Sequence, residues 1–172
     1  MLSDLHVGGK SALTIANIKQ NLLKALNEFN NPNIIILGDL FDIHCSKEYR
    51  TEFSEFLKSL NITITLILGN HDRLNADEYA KCGIKSIYKE LVLDMFILTH
   101  KPISTDKFNI HGHLHPGFTK RKLVIKNDRP CFVVANNSIC LPAFSGITGK
   151  NVFNTNSNQN IYSIKDDSIV LC

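Results

Sequence analysis

The sequence contains no tryptophan, and its five cysteines form no Cys-x-x-Cys pair. An odd number of cysteines without a paired framework favours reduced thiols over the disulfides of secreted proteins. No apolar run approaches the roughly 20 residues that a membrane helix requires, and the amino terminus lacks the basic-then-apolar layout of a signal peptide. We therefore expect a cytoplasmic protein with no membrane association.

The charge of the chain is also small, at a formal net +3 for 172 residues. A mild positive charge permits an anionic substrate but does not require nucleic acid as a partner. Hydrophobic residues make up 44% of the chain, which is ordinary for a globular protein. We expect one domain over residues 1–172, long enough to bury a core, and the oligomeric state stays open.

Helical and strand patterns alternate in the first half of the chain. Apolar residues spaced three and four apart predict amphipathic helices over 11–29 and 47–60, and a short helix over 76–82. Apolar runs at 33–37 and 62–68 predict strands that are buried on both faces. This alternation is typical of right-handed βαβ units in a parallel sheet.

The second half is mostly β in pattern, with short apolar runs between Asn-rich turns. Two sheets packed face to face, with helices outside, would bury both halves of the chain. We predict a strand pair within 84–99 that turns near Asp94, strands at 108–111, 122–125, 131–135 and 138–141, a loop over 151–160, and a closing hairpin of 161–164 with 168–171.

Gly38 and Asp39 follow directly on the apolar run that ends at Leu37. Open α/β sheets bind ligands at the carboxyl ends of their strands, so Asp39 is a candidate ligand. The structural alternative is a turn or a helix cap. Further polar residues lie at or near the ends of other apolar runs: Asp4, His6, Asn70, His71, His100, His113 and His115.

This mixed set of oxygen and imidazole donors suits Mn²⁺, Fe²⁺ or Zn²⁺. It holds too many ligands for one tetrahedral ion, but two ions about 3.5–4 Å apart that share a carboxylate would use them. Asp39 is the natural shared ligand, because its strand is expected to lie between those of Asp4 and Asn70. Only three residues precede Asp4, which raises the question of whether so short a strand holds Asp4 and His6 firmly.

Five ordered blocks contain the polar residues singled out above. They are Asp4-x-His6, Gly38-Asp39-x-x-Asp42, Gly69-Asn70-His71-Asp72, Thr99-His100 and Gly112-His113-x-His115. Together they resemble the motifs of a known family, the calcineurin-like metallophosphoesterases. The segment 141–149 is also similar to one in small prokaryotic members, which include the ligase-associated DNA-repair endonuclease group. The resemblance implies an α/β fold, a four-layer α/β/β/α sandwich of two mixed β-sheets flanked by helices.

The resemblance also implies a role for each matching residue. His71 would act catalytically beside the substrate phosphate, stabilising the transition state or protonating the leaving oxygen, and Asp72 would orient its ring. Two divalent ions are implied, with Mn²⁺ the leading choice and Fe²⁺ or Zn²⁺ the alternatives. The first would be held by Asp4, His6, Asp39 and His115, and the second by Asp39, Asn70, His100 and His113.

The predicted function is hydrolysis of a phosphate ester by attack of a hydroxide that two metal ions share. We favour a phosphodiester substrate, with DNA as the candidate, because of the similarity at 141–149. The alternative is a phosphomonoesterase or nucleotide phosphatase, since fold and motif do not separate the two. A metal-binding scaffold without turnover is the third interpretation, and the presence of His71 argues against it.

Several further polar residues have both a structural and a functional interpretation. Asp42 either caps its turn or supports the site, whereas His44 and His111 are expected to be structural. The basic cluster at 119–122, with Arg129, is either a solvated strand face or a contact for a phosphate backbone. Arg73 is either an ordinary surface residue or a contact for a substrate phosphate.

Overall fold

The computed structural model describes residues 1–8, 12–119, 129–146, 150–153, 158–166 and 168–172. The predicted strand over 122–125 lies outside these ranges. The helices of the described chain are α1 (Ala12–Asn27), α2 (Lys47–Ser59) and α3 (Ala76–Lys81). Its strands are β1 (Ile34–Leu37), β2 (Ile64–Ile67), β3 (Ser86–Tyr88), β4 (Glu90–Leu93), β5 (Phe96–Thr99), β6 (Phe108–His111), β7 (Pro116–Phe118), β8 (Arg129–Ala135), β9 (Ser138–Cys140), β10 (Asn151–Phe153), β11 (Gln159–Lys165) and β12 (Ser168–Leu171).

The first sheet is parallel and has the strand order β1-β2-β3. Residues 2–7 run parallel to β1 along its other side, with β-bridges from Leu2 to Ile36 and from Val7 to Phe41. β1 therefore lies between this N-terminal segment and β2, which is the central position expected for the strand that precedes Asp39.

Side chains alternate across β1 and β2, and this alternation separates two apolar layers. Ile36 and Leu66 pack in a cluster with residues from all three helices. Leu37 and Ile67 face the other way and pack against Leu98 of β5. The first sheet therefore lies between the helices and the second sheet, which explains why β1 and β2 are apolar throughout.

The second sheet is mixed and has nine strands. β5, β6 and β9 run parallel to one another, whereas β4 pairs antiparallel with β5, and β8 pairs antiparallel with β9 and β11. The two packed sheets, with helices outside the first, confirm the predicted α/β sandwich. The closing hairpin of β11 and β12 is also confirmed.

The chain crosses from the first sheet to the second at Lys89, between β3 and β4. The predicted turn at Asp94 is confirmed, because β4 and β5 pair on either side of it. The single strand expected before that turn is wrong, since its two halves belong to different sheets. An apolar run indicates burial, but it does not indicate which sheet each half joins.

The predicted loop over 151–160 is wrong at both ends. Residues 151–153 form β10, which pairs in parallel with β7, and β11 already begins at Gln159. Asparagine is depleted in strands, so these strands depend on their partners in the sheet rather than on local preference. β7 likewise lies in a segment for which the sequence pattern predicts no strand.

The cysteines and the helices can be compared with the sequence analysis. All five cysteines are free, and burial raises the pKa of the Cys131 and Cys140 thiols to about 12, so both are neutral core side chains. Within the described ranges, no helix is long and apolar enough to span a membrane.

Candidate metal centre

The predicted ligands come together at the junction of the two sheets. Asp39 and Asn70 follow β1 and β2, at the carboxyl ends of parallel strands. Strands that are distant in sequence thus deliver side chains to one place. The remaining predicted ligands are Asp4 and His6 from the N-terminal segment, and His100, His113 and His115 from the chain that follows β5 and β6.

Asp4, His6 and His115 form a first group of donors. Their ligand atoms all lie within 4.8 Å of one another. Asp4 Oδ1 is 3.0 Å from His115 Nε2 and 3.8 Å from His6 Nε2. These are the residues that the resemblance assigns to a first ion, apart from the shared Asp39.

Asp39, His100 and His113 form a second group with the same spread of ligand atoms. His100 Nε2 is 3.4 Å from Asp39 Oδ2, 3.1 Å from His113 Nδ1 and 3.1 Å from the side-chain oxygen of Asn70. The structure therefore brings together all four residues predicted for a second ion.

Asp39 connects the two groups. Its Oδ2 lies 3.6 Å from His6 Nε2 in the first group and 3.4 Å from His100 Nε2 in the second. A carboxylate in contact with both groups suits two divalent ions about 3.5–4 Å apart.

His71 lies against Asp39 and His6. Its backbone N–H donates to Asp39 Oδ1 at 2.9 Å, and its ring meets the His6 ring edge-on, with centroids 4.9 Å apart. His6, Asp39 and His71 also form a third group of donors that could hold an ion. The position suits the predicted catalytic role, and it also allows direct metal ligation, which the sequence analysis did not consider.

Two buried ring nitrogens show that the site fits metal ions. His6 Nε2 and His71 Nδ1 have no hydrogen-bond partner among the described residues. A buried polar atom without a partner costs free energy, so such atoms call for a ligand. Carboxylate, imidazole and amide donors are also the set that borderline divalent ions such as Mn²⁺ and Zn²⁺ accept.

Burial and polar contacts set the protonation states of these groups. Burial opposes ionisation of Asp4, but contacts that include His115 and Ser3 outweigh it and hold the pKa of the Asp4 carboxyl below its usual value. Burial lowers the pKa of His6 and of His113. Their imidazoles are therefore neutral near pH 7, the form that binds a metal ion.

The backbone of the site is strained at the predicted ligands. Nine non-glycine residues of the described chain have φ in the left-handed region, and five of them are predicted ligands. L-residues rarely adopt this conformation, and such strain persists where the surrounding fold enforces it, often at functional sites. The five are Asp4 (53°), His6 (45°), Asp39 (54°), His113 (67°) and His115 (45°).

Three glycines allow the backbone to approach the ligands closely. A Cβ atom on Gly112 would lie 2.5 Å from Asp4 Oδ2, and one on Gly69 would lie 2.5 Å from the Asp39 nitrogen. A Cβ atom on Gly38 would lie 2.8 Å from the Cα of Gly69. Each distance is shorter than a van der Waals contact allows, so any larger residue would push the ligand loops apart.

The N-terminal segment is anchored on both sides despite its short length. His6 donates its N–H to the Asp39 carbonyl at 2.9 Å, and Phe144 donates its N–H to the Ser3 carbonyl at 2.8 Å. Leu5 is fully buried between these contacts. Phe144 belongs to the segment 141–149 that resembles small prokaryotic members, of which 147–149 lie outside the described residues. This segment thus supports the first donor group.

Asp72 holds the loops that follow β1 and β2 together. Its Oδ2 accepts N–H bonds from Asp39 at 2.7 Å and Gly69 at 2.8 Å, and its Oδ1 accepts one from Leu40 at 3.1 Å. Burial raises the pKa of its carboxyl, and these backbone donors oppose the rise. The structure gives Asp72 a role in backbone positioning, while its predicted action on His71 stays a prediction.

Asp42 contributes to both its turn and the site. Its Oδ1 accepts the His44 N–H at 2.9 Å, and its Oδ2 lies 3.9 Å from His6 Nδ1. His111 is buried, with its Nδ1 at 3.0 Å from the Gly112 carbonyl.

Ser3 is a site residue that sequence reasoning missed. Its hydroxyl donates to Asp4 Oδ2, which also accepts the His113 N–H at 2.9 Å. The hydroxyl thus helps to hold the Asp4 carboxylate ionised. Its position directly before Asp4 is the one signal in the sequence, and an adjacent serine is too common to carry weight alone.

Comparison with known proteins identifies the family. A family model described as calcineurin-like phosphoesterase matches residues 1–162. The chain belongs to this family. The crystal structure of the nuclease MPE from Pseudomonas putida is similar to this phosphoesterase, with a TM-score of 0.83 and 28% identity over 99% of this chain and 85% of that chain.

A second solved structure is a weaker match. The protein of unknown function AQ665 from Aquifex aeolicus has a TM-score of 0.48 and 23% identity, over 66% of this chain and 77% of that chain. This likeness is too low to carry an argument. A comparison with curated proteins found no match.

Family membership and the nuclease-like fold establish the class of activity. The chain is a metal-dependent phosphoester hydrolase, and its Asp and His clusters are candidate ligands for the divalent ions that the family binds. The scaffold interpretation is therefore dropped. The suspected family and the fold class are both confirmed.

Replacing Asp39 tests its position between the two donor groups. Asp39→Asn removes the charge but keeps a side chain that tolerates the left-handed backbone and can accept the His71 N–H. We expect Mn²⁺ affinity at both predicted sites of the phosphoesterase to fall by at least about 100-fold, because losing a residue that merely supports a ligand already costs about 10–100-fold. Calorimetric titration of the metal-free protein measures this loss.

Asp106→Asn is the matched control, since Asp106 is exposed and outside the site. The control should bind the ions as the wild type does. Two ions bound with wild-type affinity by Asp39→Asn would contradict the shared-ligand assignment.

Replacing Asp72 tests its role in joining the loops of β1 and β2. Asp72→Asn keeps the shape but replaces one acceptor oxygen with an NH₂ group, so at least one buried N–H loses its partner. We expect the free energy of unfolding to fall by about 1–3 kcal/mol, with faster amide hydrogen exchange at Asp39, Leu40 or Gly69. Urea denaturation and exchange by NMR measure the two effects.

Asp77→Asn, an exposed carboxylate in α3, should change neither quantity. If Asp72 acted only by orienting the His71 ring, Asp72→Asn would lose activity while amide hydrogen exchange stayed unchanged.

Proposed function

We propose that this phosphoesterase hydrolyses phosphodiesters with two divalent ions, Mn²⁺ first among them, and that its substrate is a nucleic-acid strand, with DNA as the candidate. The observation that carries the proposal is the contact of Asp39 with both donor groups, with His71 fixed against the same carboxylate. This arrangement supports a paired-ion site with a proton donor beside it.

In this proposal, each predicted ligand is assigned to one ion or to both. Asp4, His6 and His115 would hold one ion, Asn70, His100 and His113 would hold the other, and Asp39 would be a ligand to both. When bound, two such ions lower the pKa of a water molecule and offset charge on the phosphoryl oxygens.

His71 acts on the leaving group. Its backbone N–H is fixed to Asp39, which sets the position of the ring relative to the ligands. We infer that the ring holds the proton that passes to the leaving oxygen, or offsets the negative charge that develops there.

The preference for nucleic acid rests on similarity rather than on the ligand geometry. The nuclease MPE from Pseudomonas putida is similar over 99% of this chain at 28% identity, and the segment 141–149 resembles the DNA-repair endonuclease group. The proposed contact of the basic cluster at 119–122 with a phosphate backbone falls almost wholly outside the described residues.

The compartment and the metal are part of the same proposal. Five free cysteines, three of them buried, favour action in the reducing cytoplasm. Mn²⁺ is favoured because the ligand set mixes oxygen with imidazole and contains no thiolate.

Two chromogenic esters separate a phosphodiesterase from a phosphomonoesterase. With Mn²⁺ present, we expect a higher kcat/KM for bis(p-nitrophenyl) phosphate than for p-nitrophenyl phosphate. Release of p-nitrophenolate measures both rates. A strong preference for the monoester would instead establish the phosphomonoesterase alternative.

Replacing His71 tests whether it is a catalytic group or a metal ligand. We expect His71→Ala to retain both ions while hydrolysis of the diester slows by about 10²–10⁴-fold, the range for general acid–base groups. Steady-state kinetics measures the rate of diester hydrolysis, and metal titration of the same preparation measures how many ions are bound.

His44→Ala is the control, because His44 is exposed and, among the described residues, its side chain forms no hydrogen bond or ion pair with a predicted ligand. A loss of one ion in His71→Ala would reassign His71 as a ligand, and an unchanged rate would remove it from the chemistry.

A further inference from the structure

A small pocket opens next to His71 and contains two arginines. It encloses about 80 Å³ and is lined by residues that include Asp42, Arg50, His71 and Arg73. One buried water needs roughly 10–15 Å³ of such space, so this volume accommodates a group of several atoms. The pocket is therefore large enough for a tetrahedral anion.

The two guanidinium groups have no partner in the described chain. Neither Arg50 nor Arg73 forms a side-chain hydrogen bond or an ion pair with the residues that the structure describes. Arg50 is half-buried in the first turn of α2, and Arg73 is exposed directly after the block Gly69-Asn70-His71-Asp72. Two unpaired arginines that line one pocket repel each other, and an anion bound there would offset that repulsion.

The other groups in the lining leave this positive charge in place. Burial raises the pKa of the Cys45 thiol to about 11, so it is neutral near pH 7. Asp42 is the carboxylate of the lining, and its oxygens are directed to the His44 N–H and toward His6. The formal charge of Asp42, Arg50 and Arg73 together is thus +1, before any charge on His71.

Guanidinium geometry determines which anion the pocket favours. The planar fork of arginine matches the oxygens of a phosphate group and binds them through two parallel N–H bonds. His71 forms part of the pocket wall and also contacts Asp39. An anion held by Arg50 and Arg73 would therefore lie next to His71, the proposed proton donor.

We propose that the pocket of Arg50 and Arg73 binds the phosphate that neighbours the scissile phosphodiester in a nucleic-acid strand. This inference rests on the proposed phosphodiesterase function, and it adds a reason for preferring a strand over an isolated ester. A substrate with a single phosphate would leave the pocket without its ligand.

Paired substrates that differ by one phosphate test the inference. One pair is thymidine 5′-(p-nitrophenyl phosphate) with and without a 3′-phosphate, and the other is thymidine 3′-(p-nitrophenyl phosphate) with and without a 5′-phosphate. We expect the added phosphate to raise kcat/KM in at least one pair. Arg50→Gln and Arg73→Gln should each reduce this advantage about tenfold, the value of one charge-assisted hydrogen bond.

Lys58→Gln is the matched control. It removes the same charge from the same helix, eight residues beyond Arg50 and about 12 Å along the axis. The control should keep the wild-type advantage. An advantage that is absent from both wild-type pairs, or unchanged when both arginines are replaced, would overturn the proposal.

A binding experiment on the metal-free protein separates this inference from the proposed function. Affinity for a labelled single-stranded oligothymidylate is measured by fluorescence anisotropy between about 50 and 200 mM salt. Each lost phosphate contact should make the plot of log K against log salt shallower by about 0.7. Because the two arginines are proposed to bind one phosphate, replacing both should reduce the slope by about 0.7.

An unchanged slope, or no binding by the wild type, would contradict the pocket assignment. If the wild type hydrolyses none of the esters, the proposed function is wrong. The salt dependence of oligothymidylate binding then still tests whether the pocket binds a phosphate.

Discussion

Two buried carboxylates, Asp4 and Asp39, impose the constraint on which the rest of the structure depends. Their exposed fractions are 0% and 2%, and a buried charge is costly unless it is paired and hydrogen-bonded. Hydrogen bonds from Ser3, His113 and His71 satisfy part of this need. Burial lowers the pKa of His6 and of His113, so these two imidazoles supply no positive charge near pH 7, and bound divalent ions would supply compensation that the hydrogen bonds leave unmet.

The fold meets this constraint by bending the backbone at the ends of its strands. Five predicted ligands adopt left-handed φ values, and glycines at the loop contacts allow approaches that a Cβ atom would block. Such strain is stable because the strands before it are anchored in apolar layers on both faces. Asp72 adds a polar tie, since its carboxylate joins the backbones of two ligand loops.

Much of this candidate site could be predicted from the sequence, because each ligand lies in a short sequence pattern of its own. A buried strand followed by glycine and a carboxylate identifies Asp39, and the same pattern identifies Asn70 and His71. The division of 84–99 between two sheets could not be predicted, because an apolar run does not indicate which strands it pairs with. The strand β10 and the backbone hydrogen bonds of Asp72 could not be predicted either, since both depend on partners far away in the sequence.

The first and second donor groups each contain residues from both halves of the sandwich. Asp4 and His6 belong to the first sheet and His115 to the second, and Asp39 faces His100 and His113 across the same junction. An ion bound to either group therefore binds only when the two sheets are packed, so metal binding and sheet packing stabilise each other. The apolar contact of Leu37 and Ile67 with Leu98 lies directly behind the ligand loops. The packing that positions the ligands is thus the packing that ion binding reinforces.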